Sequence, residues 1–177
     1  MGIGLKTRVR QVAGAVAFSP LFSMKNRWRV LHLLGWKSLA RSAFKSGCSI
    51  NGHDLTIDGP CYFNTGVFID AAAQVRIGRD SMFGPRSMIL TSSHEIGDSA
   101  RRGGDSTYTP VRVGSGCWVG AGALILPGVT IADGCIIAAG AVVVHSTEPD
   151  GVYAGVPARR IRDLDGSTDP REASPRP

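Results

Sequence analysis

The chain has 177 residues, 20 Lys and Arg against 14 Asp and Glu, a formal net charge of +6 at pH 7, and four cysteines. That length suits one domain; Cys48 and Cys61 have no partner spacing and no secretory leader is expected, so a disulfide framework is not expected. A basic excess alone could suit nucleic acid, but there is no nucleic-acid motif and no basic patch interleaved with aromatics, so that partner is not expected.

The N-terminal part, residues 1–50, is expected to be a basic helical cap. Before Asp54 the chain carries nine basic side chains (Lys6, Arg8, Arg10, Lys25, Arg27, Arg29, Lys37, Arg41, Lys45) and no carboxylate. The apolar run Val12–Phe18 contains Gly14 and is too short to span a bilayer. Trp28, Val30, Leu31, Leu33, Leu34 and Leu39 give Met24–Lys45 an apolar helical face, broken at Gly35. A basic amphipathic surface suits anionic lipid, so peripheral membrane contact is one reading. The preferred one is a cap, because the end of a repeat array must be covered.

From residue 51 to 164 a period of six takes over. Ile57, Phe63 and Ile69 begin successive hexads; after a two-residue slip at Val75-Arg76 come Ile77, Phe83 and Ile89. After a break follow Val113, Val119, Ile125, Ile131, Ile137 and Val143. The fifth position is small, as at Cys61, Ser81, Cys117, Ala123, Cys135 and Ala141. Six is neither a helical nor a simple strand period, and it marks a parallel β-helix. The fold class is therefore all-β. Three hexads make one coil, so Cys117 and Cys135, eighteen residues apart, should stack about one strand spacing (~4.8 Å) apart. They read as free thiols packed like small hydrophobes, with a reducing cytoplasm as the default compartment.

The repeat stops at Ile89-Leu-Thr-Ser-Ser-His94 and resumes at Val113. The insertion, a polar, glycine-rich loop over 95–112, is where a solenoid carries function. His94 stands immediately before it. An imidazole can serve as a general base near neutral pH. Beyond Leu164, residues 165–177 (DGSTDPREASPRP) read as a disordered tail.

Several motifs together resemble the hexapeptide-repeat O-acetyltransferases of the maltose, galactoside, nodulation-sugar and exopolysaccharide type. They are Thr91-Ser-Ser-His94, Arg101, Pro110-Val111, Cys117-Trp-Val-Gly120, Ile125-Leu-Pro-Gly-Val-Thr-Ile131, Ala138-Ala-Gly140 and Ala154-Gly-Val-Pro-Ala-Arg159. The resemblance implies a left-handed β-helix, a homotrimer, and acetyl-CoA as co-substrate without a metal. It implies His94 as catalytic base, with Asn64, Asp70, Arg101 and Trp118 toward the acceptor. It also implies Ala121, Ala139, Arg159 and Arg162 toward CoA. The expected function is acetyl transfer to a hydroxyl of a sugar or glycan. Two alternatives stand beside it. A zinc hydratase needs three converging histidines, and His32, His53, His94 and His145 lack paired spacing. A non-catalytic β-helix scaffold needs neither the break after His94 nor the Trp118 and Arg159 pattern.

Overall fold

The computed structural model describes residues 14, 16–19, 22–36 and 38–164. The chain winds as a three-faced parallel β-helix. One face stacks β3 (Leu55–Ile57), β6 (Val75–Ile77), β11 (Val111–Val113) and β14 (Thr130–Ile131). The second stacks β1 (Ala43–Phe44), β4 (Tyr62–Phe63), β7 (Met82–Phe83), β12 (Trp118–Val119) and β15 (Ile136–Ile137), then β17 (Gly151–Gly155) and β18 (Ala158–Asp163). The third stacks β2 (Ser49–Gly52), β5 (Phe68–Ala71), β8 (Met88–Ile89), β13 (Leu124–Ile125) and β16 (Val142–Val143). Between β8 and β11, β9 (Ser92–Ile96) and β10 (Gly103–Tyr108) leave the helix as an antiparallel pair.

The first position of every hexad points inward. Phe63, Ile77, Val119, Ile125, Ile131 and Ile137 are all 0% exposed. In-register stacking of such residues buries one continuous interior, so each coil is stabilised mainly by its neighbours. On the second face the interior column is aromatic: Phe44 stacks on Phe63 at 4.5 Å and Phe63 on Phe83 at 4.8 Å. These distances equal the spacing of adjacent strands, so ring contact follows from the register itself. Glycine after the inward residue has a steric cause. A Cβ on Gly84 would lie 2.6 Å from the Ala121 nitrogen, and one on Gly120 would lie 2.5 Å from that of Ala139. The chain turns there against the next coil with no room for a side chain.

The cysteines occupy interior corners as free thiols. Ser42, Cys61, Ser81, Cys117 and Cys135 form one column, set by the pairing of Ala43 with Tyr62, Tyr62 with Met82, Met82 with Trp118 and Trp118 with Ile136. Each Sγ or Oγ turns to a carbonyl of a neighbouring coil: Cys61 to Gly78 (3.2 Å), Ser81 to Gly114 (2.8 Å), Cys117 to Ala132 (3.2 Å), Cys135 to Glu148 (3.1 Å). A small residue with one donor is what the position selects.

Two boundaries differ from the expectation. Helix in the cap comprises α1 (Arg27–Leu33) and, among the other described residues, the helical positions Gly14, Val16 and Ala17. Strand structure begins before residue 51, with Leu39 bridged to Ile57 and β1 and β2 continuing the stack. Hydrophobic spacing over Leu39–Phe44 fits a helix, but unfilled hydrogen-bonding edges of the next coil claim those residues as strand. Phe18 packs edge-on over Phe44 at 5.7 Å. The buried Arg27 guanidinium ties cap to coil by donating to the carbonyls of Phe44 (2.7 Å) and Ser19 (2.8 Å). Residues 1–13 and the tail 165–177 lie outside the described residues, and no described helix is long and apolar enough to cross a membrane.

Candidate active site

The second face carries, on its outer side, the column Tyr62, Met82, Trp118 and Ile136, each residue one place before an inward-facing one. Trp118 is 53% exposed and Met82 51%. With Asn64, the Gly84-Pro85 and Gly120-Ala121 corners and Ala138-Ala139, this column lines a groove of about 510 Å³ running across four coils. The family resemblance singled out Trp118 but passed over Tyr62 and Met82. Their signal was a large apolar side chain recurring at an outward position of one face.

Three sequence-predicted residues meet in this groove besides Trp118. Asn64 accepts the Thr65 N–H on Oδ1 at 2.8 Å, which leaves its amide NH2 as the uncommitted end. Ala121 and Ala139 stand on successive coils, and among the described residues their backbone N–H groups donate to nothing. Their neighbours are committed: Gly120 N–H to Ile137 O, Gly122 N–H to Pro85 O and Gly140 N–H to Ala121 O. Two uncommitted N–H groups along a groove form a ladder for carbonyl or oxyanion oxygens.

Arg159 and Arg162 lie on β18 at the far end of the same sheet, both exposed. Arg160, between them, is spent on the fold. Its guanidinium donates to Asp163 (2.6 Å), to the Tyr153 hydroxyl (3.2 Å) and to the carbonyls of Glu148, Pro149 and Asp150. Charge alone does not separate the three; the pairing of β18 with β17 does.

The insertion after His94 is not an irregular loop. Ser92 pairs with Tyr108, Ser93 with Thr107 and His94 with Ser106. The turn is closed by Asp98, whose Oδ1 accepts the N–H groups of Ala100 (3.0 Å) and Arg101 (3.1 Å). Asp and Ser at such a turn are the usual side-chain acceptors for exposed backbone. A polar ribbon with no buried side can still pair its backbone, and Gly97 and Gly104 leave room where a Cβ would meet the Arg101 and Glu95 carbonyls across the hairpin. Strand β11 begins at Val111, so the insertion ends before the expected residue 112. Arg101 stands at the hairpin tip, exposed, and does not line the groove.

His94 is exposed on this hairpin. Its Nδ1 lies 3.1 Å from the Gly104 carbonyl oxygen. A carbonyl can only accept, so in the neutral ring this contact selects the tautomer with the proton on Nδ1 and the lone pair on Nε2. His94 does not line the groove of its own chain. Asp70 departs most from its expected role. It is 4% exposed, and its Oδ2 accepts from the backbone and hydroxyl groups of Thr91 and Ser92. Its side chain lies in the corner that precedes Val75, bonded to Thr91 and Ser92, and does not line the groove. Among the described residues no three His, Cys, Asp or Glu side chains are placed to hold a metal ion.

Residues 110–145 match the family model "Bacterial transferase hexapeptide (six repeats)". Nodulation protein L of Rhizobium meliloti (strain 1021) is 43% identical over 108 residues, covering 61% of this chain and 59% of that protein. Galactoside O-acetyltransferase of Escherichia coli (strain K12) is 32% identical over 113 residues, covering 64% and 56%. The chain thus spans about three-fifths of the length of these curated relatives. The crystal structure of a maltose O-acetyltransferase from Clostridium difficile 630 superposes with a TM-score of 0.70 at 25% identity, covering 92% of this chain and 90% of that one. The groove and the hairpin are therefore set on a β-helix like that of the maltose O-acetyltransferase, and the repeat over residues 110–145 is similar to the bacterial transferase hexapeptide.

Proposed function

We propose that this chain is an acetyl-CoA-dependent O-acetyltransferase acting on a hydroxyl of a sugar or glycan. The observation that carries the reading is the groove on the second face. It combines an N–H ladder at Ala121 and Ala139, an exposed indole at Trp118, and the exposed cations Arg159 and Arg162 farther along the sheet. The similarity to the maltose and galactoside enzymes supports it.

An alcohol is a weak nucleophile at neutral pH and needs a positioned base. In this reading Nε2 of His94 takes the hydroxyl proton while the oxygen attacks the thioester carbon. The carbonyl oxygen becomes an oxyanion held by the Ala121 N–H. Collapse breaks the C–S bond, and the imidazolium returns its proton to the departing thiolate. The Gly104 carbonyl holds the tautomer throughout, as the orienting partner of a catalytic histidine does. Arg159 and Arg162 hold CoA phosphates, and Asn64 and Trp118 face the acceptor.

Base and groove lie apart within one chain, so we infer that copies assemble, as a homotrimer, with the hairpin of one against the groove of the next. The exposed apolar side chains Met82, Trp118, Ile96 and Tyr108 suit such an interface. In that arrangement Arg101, at the hairpin tip, reaches the neighbour's acceptor.

The test is thiol release from acetyl-CoA with a panel of sugars, run on wild type and His94→Ala. The expected result is acceptor-dependent release by wild type, lowered about 10²- to 10⁴-fold in the variant, the contribution of a general base. Release that no sugar stimulates, or a variant within a few-fold of wild type, contradicts the reading.

A further inference from the structure

We propose that Asp70 is a positioning residue for His94. Its buried carboxylate fixes the root of the hairpin and so sets where the imidazole points. The proposal rests on His94 being the base.

The two irregularities in the repeat are stacked on each other. Leu55, Val75, Val111 and Val129 are equivalent positions on the first face, and Ile50, Ile69, Ile89 and Ile125 on the third. The corner between these faces is residues 126–128 in the later coil. It widens to 70–74 in the coil below the insertion, and becomes 90–110 where the hairpin leaves. The two-residue slip is therefore the seat of the hairpin.

Asp70 is the first residue of that widened corner. Its Oδ2 accepts the Thr91 N–H at 3.2 Å, the Ser92 N–H at 2.9 Å and the Ser92 hydroxyl at 2.5 Å. The Thr91 hydroxyl lies 3.2 Å from the same oxygen and 3.0 Å from the Asp70 carbonyl, and it accepts the Ala73 N–H at 3.1 Å. Thr91 is fully buried, and its own carbonyl accepts the Thr109 N–H at 2.8 Å, where the hairpin returns. One carboxylate thus holds the residues from which β9 departs. His94 follows Ser92 by two places, on the same side of the strand.

This placement is costly for a purely structural link. Asp70 has no cationic partner, since the ion pairs among described residues are Arg76–Asp58 and Arg160–Asp163. Its Oδ1 is buried with no hydrogen-bond partner. A buried carboxylate left half satisfied is unfavourable, and such groups concentrate where geometry must be held for function. Several donors converging on one oxygen give stiffness that a single neutral bond does not.

The test is a double-mutant cycle on kcat. Asp70→Asn should lower kcat by about 10- to 100-fold, the loss a misplacement of about 1 Å can cause, with the KM for acetyl-CoA within twofold of wild type. In the His94→Ala background the same change should cost nothing further, because there is no imidazole left to misplace. Ser92→Ala, which removes one donor and leaves Asp70 in place, should repeat the kcat-only loss more weakly and serves if Asp70→Asn fails to fold. An equal loss in both backgrounds, or unchanged kcat in Asp70→Asn and Ser92→Ala, overturns the proposal. If His94→Ala itself stays active, the base assignment falls first, and that outcome is read independently of Asp70.

Discussion

Burial turns the four cysteines into inert packing residues. Desolvation pushes the Cys117 thiol up to about 11, against a backbone hydrogen bond at Cys135 that lowers it; burial likewise raises Cys48 and Cys61 to about 11. A thiol whose folded pKa exceeds its unfolded one favours folding below the unfolded value, here 9.0. That contribution is lost as pH rises through about 11. Denaturant midpoints should therefore hold steady to about pH 9 and fall between there and pH 11. At pH 8 the thiols should react with a soluble disulfide reagent only on unfolding. Fast labelling of the native protein would contradict this. At the same scale, sequence spacing placed Cys117 beside Cys135 but missed Cys61 as a member of the column, because the two-residue slip hides its register. The resemblance set Asp70 toward the acceptor, and its burial in the corner before Val75 is something no hexad count reveals.

At the scale of elements, β18 shows how one strand divides equivalent charges. Arg160 closes the end of the helix against Tyr153 and the last carbonyls, while Arg159 and Arg162 remain exposed. Arg160→Ala should lower the melting temperature and leave CoA affinity alone. Arg159→Ala and Arg162→Ala should keep the melting temperature and raise the CoA dissociation constant about tenfold or more, since a hydrogen bond to a charged group is worth about 1.5–3 kcal/mol. Calorimetric unfolding and CoA titration separate the two patterns. The hairpin was legible as an insertion but not as paired strands: its residues lack apolar alternation, and backbone pairing alone orders them. The start of the β-helix was blurred for the opposite reason, since the apolar residues of Leu39–Phe44 satisfy helical spacing and strand register alike.

Over the whole molecule, stability is a sum of coils, and the ends matter most. The N-terminal end is closed by Phe18, Leu31 and Trp36, which are 3%, 0% and 3% exposed, and by the Arg27 tether. Removing residues 1–36 should expose Phe44 and its stacked column, lowering the melting temperature and causing aggregation; a truncated protein that stays soluble with an unchanged melting temperature would show that these residues do not cap. The repeat made the architecture readable because every interior position repeats at a fixed interval. The site was readable only in part, because its pieces lie on different faces and no interval in one chain joins His94 to the groove.

That separation is the central claim, and mixing two inactive variants tests it most directly. His94→Ala keeps the groove, and Ala139→Trp fills the groove but keeps the histidine. Each alone should be inactive in acceptor-dependent thiol release. Unfolded together and refolded as a mixture, they should regain activity, because a groove from one chain meets a histidine from the other. In a closed cyclic assembly of an even mixture, roughly a quarter of the sites pair an intact groove with an intact histidine. Recovered activity near that fraction is the result expected; a mixture as inactive as its components would contradict a site completed between copies.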